Sequence, residues 1–217
     1  MRERTDSLRR WVVLVSPIVV IGVSRIVQQV AGRSLGVWAW VPAILTFWGL
    51  IGCLIAWGRR VNRVTNWLSK PRGSALWSAL AVLVGFVSVR EFVSGWRVLE
   101  SPGVLFLWLA FGVVNPWFEE SYWRGLLVDA AVRHPGVGVV YSTVVFAVSH
   151  PLIWGVHSVA LRHPASLVGL GLVGGVWGVA YWRTGSLRWT IVGHSCANLL
   201  GLSVPVLLNL HVPAGLK

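Results

Sequence analysis

The chain reads as an all-α polytopic membrane protein, a bundle of about seven transmembrane helices (six to eight) around a polar intramembrane site. Three observations lead there. Of 217 residues, 55% are hydrophobic and only 12% charged, with a mean hydropathy of +0.70, too apolar for an ordinary soluble domain. The apolar residues fall into runs long enough to cross a bilayer, separated by short basic or Gly/Pro-containing segments. Inside one such run stands Asn-Pro-Trp-Phe-Glu-Glu-Ser-Tyr-Trp-Arg-Gly, residues 115–125. Ionisable side chains at membrane depth cost about 3 kcal/mol or more each, so they face a protein interior and carry function.

Met1 to Arg10 holds four arginines and precedes the apolar run Trp11 to Val23, the pattern of a signal peptide. No small-residue cleavage site follows, so the expectation is an uncleaved first helix over Trp11 to Val30. The second span is Val37 to Trp57, followed by a basic loop from Gly58 to Gly73. The third runs from Ala75 to Val93. The fourth starts near Val104 and continues to Val132 through Pro116, which is expected to kink the helix or to start a new one capped by Asn115. The fifth, Val137 to Leu161, is interrupted by Pro151 after His150. The sixth, Leu167 to Trp182, holds Gly171, Gly174, Gly175 and Gly178, two overlapping small-xxx-small pairs that let another backbone approach. The seventh is Trp189 to Leu210, with Pro205 as a breaking point. No repeat or linker divides residues 1–217, so one domain is expected.

A net charge of +12 raises the question of nucleic acid, but the basic residues show no single face and no aromatic-interleaved module. Membrane topology explains them better. With seven spans and a cytoplasmic N-terminus, the inner segments hold Arg2, Arg4, Arg9, Arg10, Arg59, Arg60, Arg63, Lys70, Arg72, Arg133, Arg183 and Arg188, against Arg33, Arg97, Arg162 and Lys217 outside. Positive residues favour the cytoplasmic side, which supports that orientation. Fifteen Trp against three Tyr suit interfacial anchors and packing between helices. Cys53 and Cys196 lie in apolar runs and are expected to be buried free thiols.

Glu119, Glu120 and Arg124 form Glu-Glu-x-x-x-Arg. Four residues apart on a helix, Glu120 and Arg124 share a face and suit an ion pair, whereas Glu119 points about 100° away. The two carboxylates therefore have different tasks. His150 closes Phe146-Ala-Val-Ser-His, and His194 with Asn198 makes His-x-x-x-Asn on one face of the last span. Each alone is weak, and a buried charge cluster that only holds the bundle together is the plainer reading of the first. Convergence of the three sets satisfies polar groups that have no other partners in lipid. It also assembles the parts of a hydrolytic site, with a carboxylate and a histidine for water and His/Asn donors for an oxyanion.

In this order and spacing the three motifs resemble those of the CAAX protease and bacteriocin-processing (CPBP, or Abi) intramembrane endopeptidases. The flanks agree: Arg124-Gly125-Leu126-Leu127 after the first motif, and Gly174-Gly175 through Tyr181-Trp182-Arg183-Thr184-Gly185-Ser186-Leu187 before the last. The likeness covers residues 113–202, and the first 100 residues match only as generic membrane spans. It implies a glutamate-dependent endopeptidase in which Glu119 and His150 activate water, His194 and Asn198 stabilise the oxyanion, and Glu120 and Arg124 support the site. Its substrate would be a membrane-anchored protein or peptide, and its place a bacterial cytoplasmic membrane. Tyr122-Trp123 before the Arg-Gly step and the histidine-containing segment Trp154 to Pro164 depart from the family pattern, and the latter is expected to reshape the substrate entrance.

No cofactor is required in this reading. The alternative is a divalent metal such as zinc on His150, His194 and Glu119, although no His-Glu-x-x-His is present. Serine catalysis is disfavoured because Ser149 and Ser195 adjoin the motif histidines, and adjacent helix residues diverge by about 100°. Aspartate catalysis fails because Asp6 and Asp129 are the only aspartates. Outside the enzymes, a membrane binding, immunity or chaperone protein would use the same pocket for recognition, and a transporter would use it as a charged pathway.

Overall fold

A chain that is apolar around every face of its helices cannot hide that surface in its own core and leaves much of it to lipid. In the computed structural model, which describes residues 2–59, 67–131, 134–213 and 216, regular structure among the described residues is helical throughout. Ile18, Val93, Phe106 and Leu172 stand exposed on the outer faces, as lipid-facing side chains do. Arg60, Arg63, Arg133 and Lys217 of the charge count lie outside the described residues.

Helix α1 (Arg2–Leu35) is longer than expected at both ends. It stops at Gly36, whose positive φ of 56° is open to glycine without strain, and α2 (Trp40–Arg59) packs back along it. Helix α3 (Ala75–Leu83) is capped by Ser74, whose Oγ accepts the Leu76 N–H at 3.2 Å. A 3-10 turn leads into α4 (Val89–Gly95) and a second one continues to Glu100.

Helix α5 (Pro102–Glu119) corrects one expectation. It runs unbroken through Pro116, and Asn115 is no cap, because its Oδ1 accepts the Trp48 indole N–H at 2.9 Å. The irregularity comes one turn later as a π-helical turn, Glu120–Leu126, before α6 (Leu127–Ala130). Neighbouring helices hold a segment that has lost one backbone donor, and π turns gather at functional sites. Helix α7 (Pro135–Ile153) likewise continues past Pro151 before a 3-10 turn at Trp154–Val156 and the short α8 (Val159–Arg162).

Helix α9 (Pro164–Thr184) ends at Gly185, again at positive φ. Helix α10 (Arg188–Leu200) ends at Gly201, and Leu202 adopts a positive φ of 50° before α11 (Ser203–Leu207). The last run therefore breaks at Gly201-Leu202 and not at Pro205. Pro205 sits in the first turn of α11, where a missing N–H costs no helical bond.

Four segments are long and apolar enough to cross a membrane: Ser7–Gly58, which takes in most of α1 and α2 in 52 residues, Ala75–Glu100, Pro135–Val156 and Pro164–Thr184. The expected fourth and seventh spans are not among them. These are α5 with its Asn and Glu, and α10 with only 13 residues, the two elements that carry Glu119, His194 and Asn198. Both cysteines are free, but Cys53 is exposed on the surface and Cys196 only partly covered, since the apolar runs that hold them face outward there.

Two close backbone contacts set the helix positions. Of the two small-xxx-small pairs only Gly174/Gly178 is used: a Cβ on Gly174 would crowd Phe146 and Arg124, and one on Gly178 would crowd Val139, whereas Gly171 faces open space. Helix α10 crosses the α3 region through Gly193 and Gly85, where a Cβ on either would overlap backbone atoms of Ala81 or Gly193. The Trp177 indole donates to the Ala81 carbonyl at 2.9 Å at the same crossing. Gly193→Ala and Gly85→Ala should therefore lower the thermal midpoint of the detergent-solubilised protein by several degrees, while Gly171→Ala leaves it unchanged in the same melt.

Candidate active site

Glu120 is fully buried, and one of its oxygens receives two donors. Arg124 Nη1 donates to Oε1 at 2.9 Å from one turn away, and His194 Nδ1 lies 2.8 Å from the same atom. The expected Glu120–Arg124 pair is present, and it is also the tether of α10. Arg124 is itself fully buried, with its guanidinium over the Phe146 ring at 4.1 Å and near Trp177 at 5.4 Å. Its Nη2 lies 2.9 Å from where a Cβ on Gly174 would be, so the glycine of α9 leaves room for the arginine. Arginine suits this place because its planar, weakly hydrated cation stacks on aromatic rings.

Because Glu120 as a carboxylate only accepts, Nδ1 of His194 carries the proton of that bond and Nε2 is turned elsewhere. Nε2 lies 3.7 Å from Glu119 Oε2, too far for a direct hydrogen bond. The ring is stacked on Trp177 with centroids 4.5 Å apart, which fixes its plane. His150 Nδ1 lies 2.8 Å from the Phe146 carbonyl. A carbonyl only accepts, so Nδ1–H donates and Nε2 of the neutral ring holds the lone pair.

Glu119, His150, His194 and Asn198 all line one cavity of about 280 Å³, with an otherwise mostly apolar wall that includes Trp154, Leu170, Val173 and Leu207. Helices α5, α7 and α10 thus bring the three motifs together. Glu119 Oε2 and Asn198 Nδ2 are buried with no hydrogen-bond partner among the described residues. Trp154, Ala160 and Leu161 contribute to the wall, so the segment that departs from the family pattern does border the cavity. No three His, Cys, Asp or Glu side chains are grouped closely enough to hold a metal ion among the described residues. The trio Glu119, His150 and His194 has no such arrangement.

Sequence reasoning missed Asn115 as a cavity residue, Trp48 as its partner and Trp177 as the platform under His194. Only Asn115 left a signal, its position one turn before Glu119. Asp129 accepts from the Trp67 indole at 3.0 Å and from the Tyr181 hydroxyl at 2.8 Å, bracing α6 against α9. Of the other histidines, His163 Nδ1 caps α9 by accepting the Ala165 N–H, and His211 pairs with Glu91 at 3.1 Å.

No curated protein and no solved structure matches the chain. Residues 101–200 match the model of the family described as Type II CAAX prenyl endopeptidase Rce1-like. This range holds every residue of the three motifs and all of the cavity's ionisable groups. With four segments long and apolar enough to span a membrane, the chain is an integral membrane protein, and its residues 101–200, a little under half of its length, are similar to the Rce1-like family.

Proposed function

We infer that the protein is an intramembrane endopeptidase that cleaves a membrane-associated protein or peptide with a water activated by Glu119 and His150. The observation that carries this reading is the pair of orphaned buried atoms, Glu119 Oε2 and Asn198 Nδ2, on two residues that line one cavity. A buried polar atom left unpaired costs about 1–3 kcal/mol, and such atoms persist where a reaction uses them. Glu119 accepts one proton of the water while the His150 Nε2 lone pair orients it. The water oxygen bonds to the scissile carbonyl carbon, and the negative charge passes to the carbonyl oxygen. Asn198 Nδ2 and His194 Nε2–H donate to that oxyanion. The C–N bond then breaks, and the proton taken from water goes to the leaving amine.

For Nε2 to donate while Nδ1 donates to Glu120, His194 must be imidazolium in that state. The buried set Glu119, Glu120, Arg124 and His194 is then neutral in sum, the arrangement a low-dielectric site favours. Glu120 and Arg124 act through His194 and do not touch the substrate. The reading needs no resident metal, and the N-terminus is taken as cytoplasmic on the charge distribution.

In lipid nanodiscs, Glu119→Gln and His150→Ala should each reduce cleavage of a reporter peptide to background with an unchanged melting curve. Asn198→Ala should lower kcat about 10²-fold, the usual loss for one oxyanion donor. Cleavage should survive dialysis against EDTA. A non-catalytic binding or immunity protein would show no cleavage in the wild type and intact ligand retention in Glu119→Gln.

Replacing Glu120 by Ala strands the buried Arg124 charge. The variant should lose about 3–5 kcal/mol of stability, the usual penalty for breaking a buried ion pair, read from denaturant unfolding in detergent.

A further inference from the structure

The α5 wall of the cavity carries one polar side chain that the reaction above leaves unused. Asn115 precedes Glu119 by four residues, so both project from one face of α5, about 6 Å apart along its axis. It is 2% exposed and lines the same cavity as Glu119, His150 and Asn198. Among the described residues its side-chain hydrogen bond is the one from Trp48 Nε1 to its Oδ1, at 2.9 Å.

That bond decides which way the carboxamide points. An indole N–H can only donate, so the oxygen of Asn115 must face Trp48, and the two N–H donors are turned away from it. Trp48 is itself held, stacked on Phe118 at 5.4 Å with planes 11° apart and on Phe111 at 6.3 Å and 23°. The clamp makes Asn115 a fixed donor. Glu119, the acidic group of the cavity, offers acceptors, and Asn198 offers a donor from α10, on the wall that receives the oxyanion. Asn115 offers donors from the wall that holds the water.

Extended peptide suits this spacing. Carbonyls two residues apart point the same way and are separated by roughly 6.6–6.8 Å, close to the rise of four helical residues. A substrate running along α5 with its scissile carbonyl at the Glu119 water brings the carbonyl two residues away to Asn115. We propose that Asn115 Nδ2 binds a backbone carbonyl of the substrate two residues from the scissile bond and so sets the register of cleavage, with Trp48 as its positioning residue. This rests on the endopeptidase reading.

The test uses the full chain in nanodiscs and a quenched, farnesylated CAAX-type peptide, with products read by mass spectrometry. Asn115→Leu should raise KM about tenfold, the factor for one lost hydrogen bond, with kcat within about twofold and with additional products cut at neighbouring bonds. Trp48→Phe, which removes only the orienting donor, should move KM the same way by less, and Trp48→Phe/Asn115→Leu should be no worse than Asn115→Leu alone. An unchanged KM and a single cleavage site in Asn115→Leu, or a fall in kcat and melting temperature alone, would overturn the assignment and make Asn115 a packing residue. If Asn115→Leu does not fold, an unchanged KM in Trp48→Phe overturns it equally. Product that forms equally with wild type and Glu119→Gln would instead overturn the endopeptidase reading, and Asn115 with it.

Discussion

The structure depends on one carboxylate oxygen. Glu120 Oε1 takes Arg124 from its own helix and His194 from α10, and each of these would be an unpaired polar group in a membrane interior without it. The consequences spread outward from there. Arg124 needs aromatic cover, which Phe146 and Trp177 supply, and space, which Gly174 supplies. His194 must reach a residue 74 positions earlier in the chain, so α10 has to approach closely, and the Gly193–Gly85 crossing allows that. Glu119, one residue from Glu120, is left out of this knot and faces the cavity.

A division of labour among the helices follows. The segments that satisfy length and apolarity for a full crossing form the outer scaffold, and they spread Ile, Val, Leu and Phe side chains over exposed faces. Glu119, His194 and Asn198 sit on the short or polar elements, whereas His150 comes from α7, one of the apolar scaffold helices. Helix α10 spans 13 residues, and α5 ends in the π turn that carries Glu120 and Arg124. Backbone irregularity at membrane depth is tolerated where it borders protein or a cavity, which is where Glu120–Leu126 and Gly201–Leu202 lie.

Local spacing made part of this legible in the sequence. The Glu120–Arg124 pair follows from an i, i+4 relation, the Gly174/Gly178 contact from small residues at the same spacing, and the common site from three polar sets that had no other partners. What escaped depends on neighbours far apart in the chain. Gly85 and Gly193 are ordinary glycines until α3 and α10 meet. Trp48 reads as an interfacial anchor until its N–H is seen at Asn115. Pro116 and Pro205 were given more weight as breakers than they have, because helix packing absorbs one and the first helical turn accommodates the other.

The most direct measurement of the central claim is a comparison of peptide termini in membranes of native-host cells that express wild type or Glu119→Gln at equal folded levels. It presumes no substrate. New termini that require Glu119, falling within or beside membrane-embedded segments, are the predicted result and would name the substrate together with the depth of the cut. Identical termini in the two membranes would contradict proteolysis and leave the Glu120–Arg124–His194 knot as a structural device around a binding pocket.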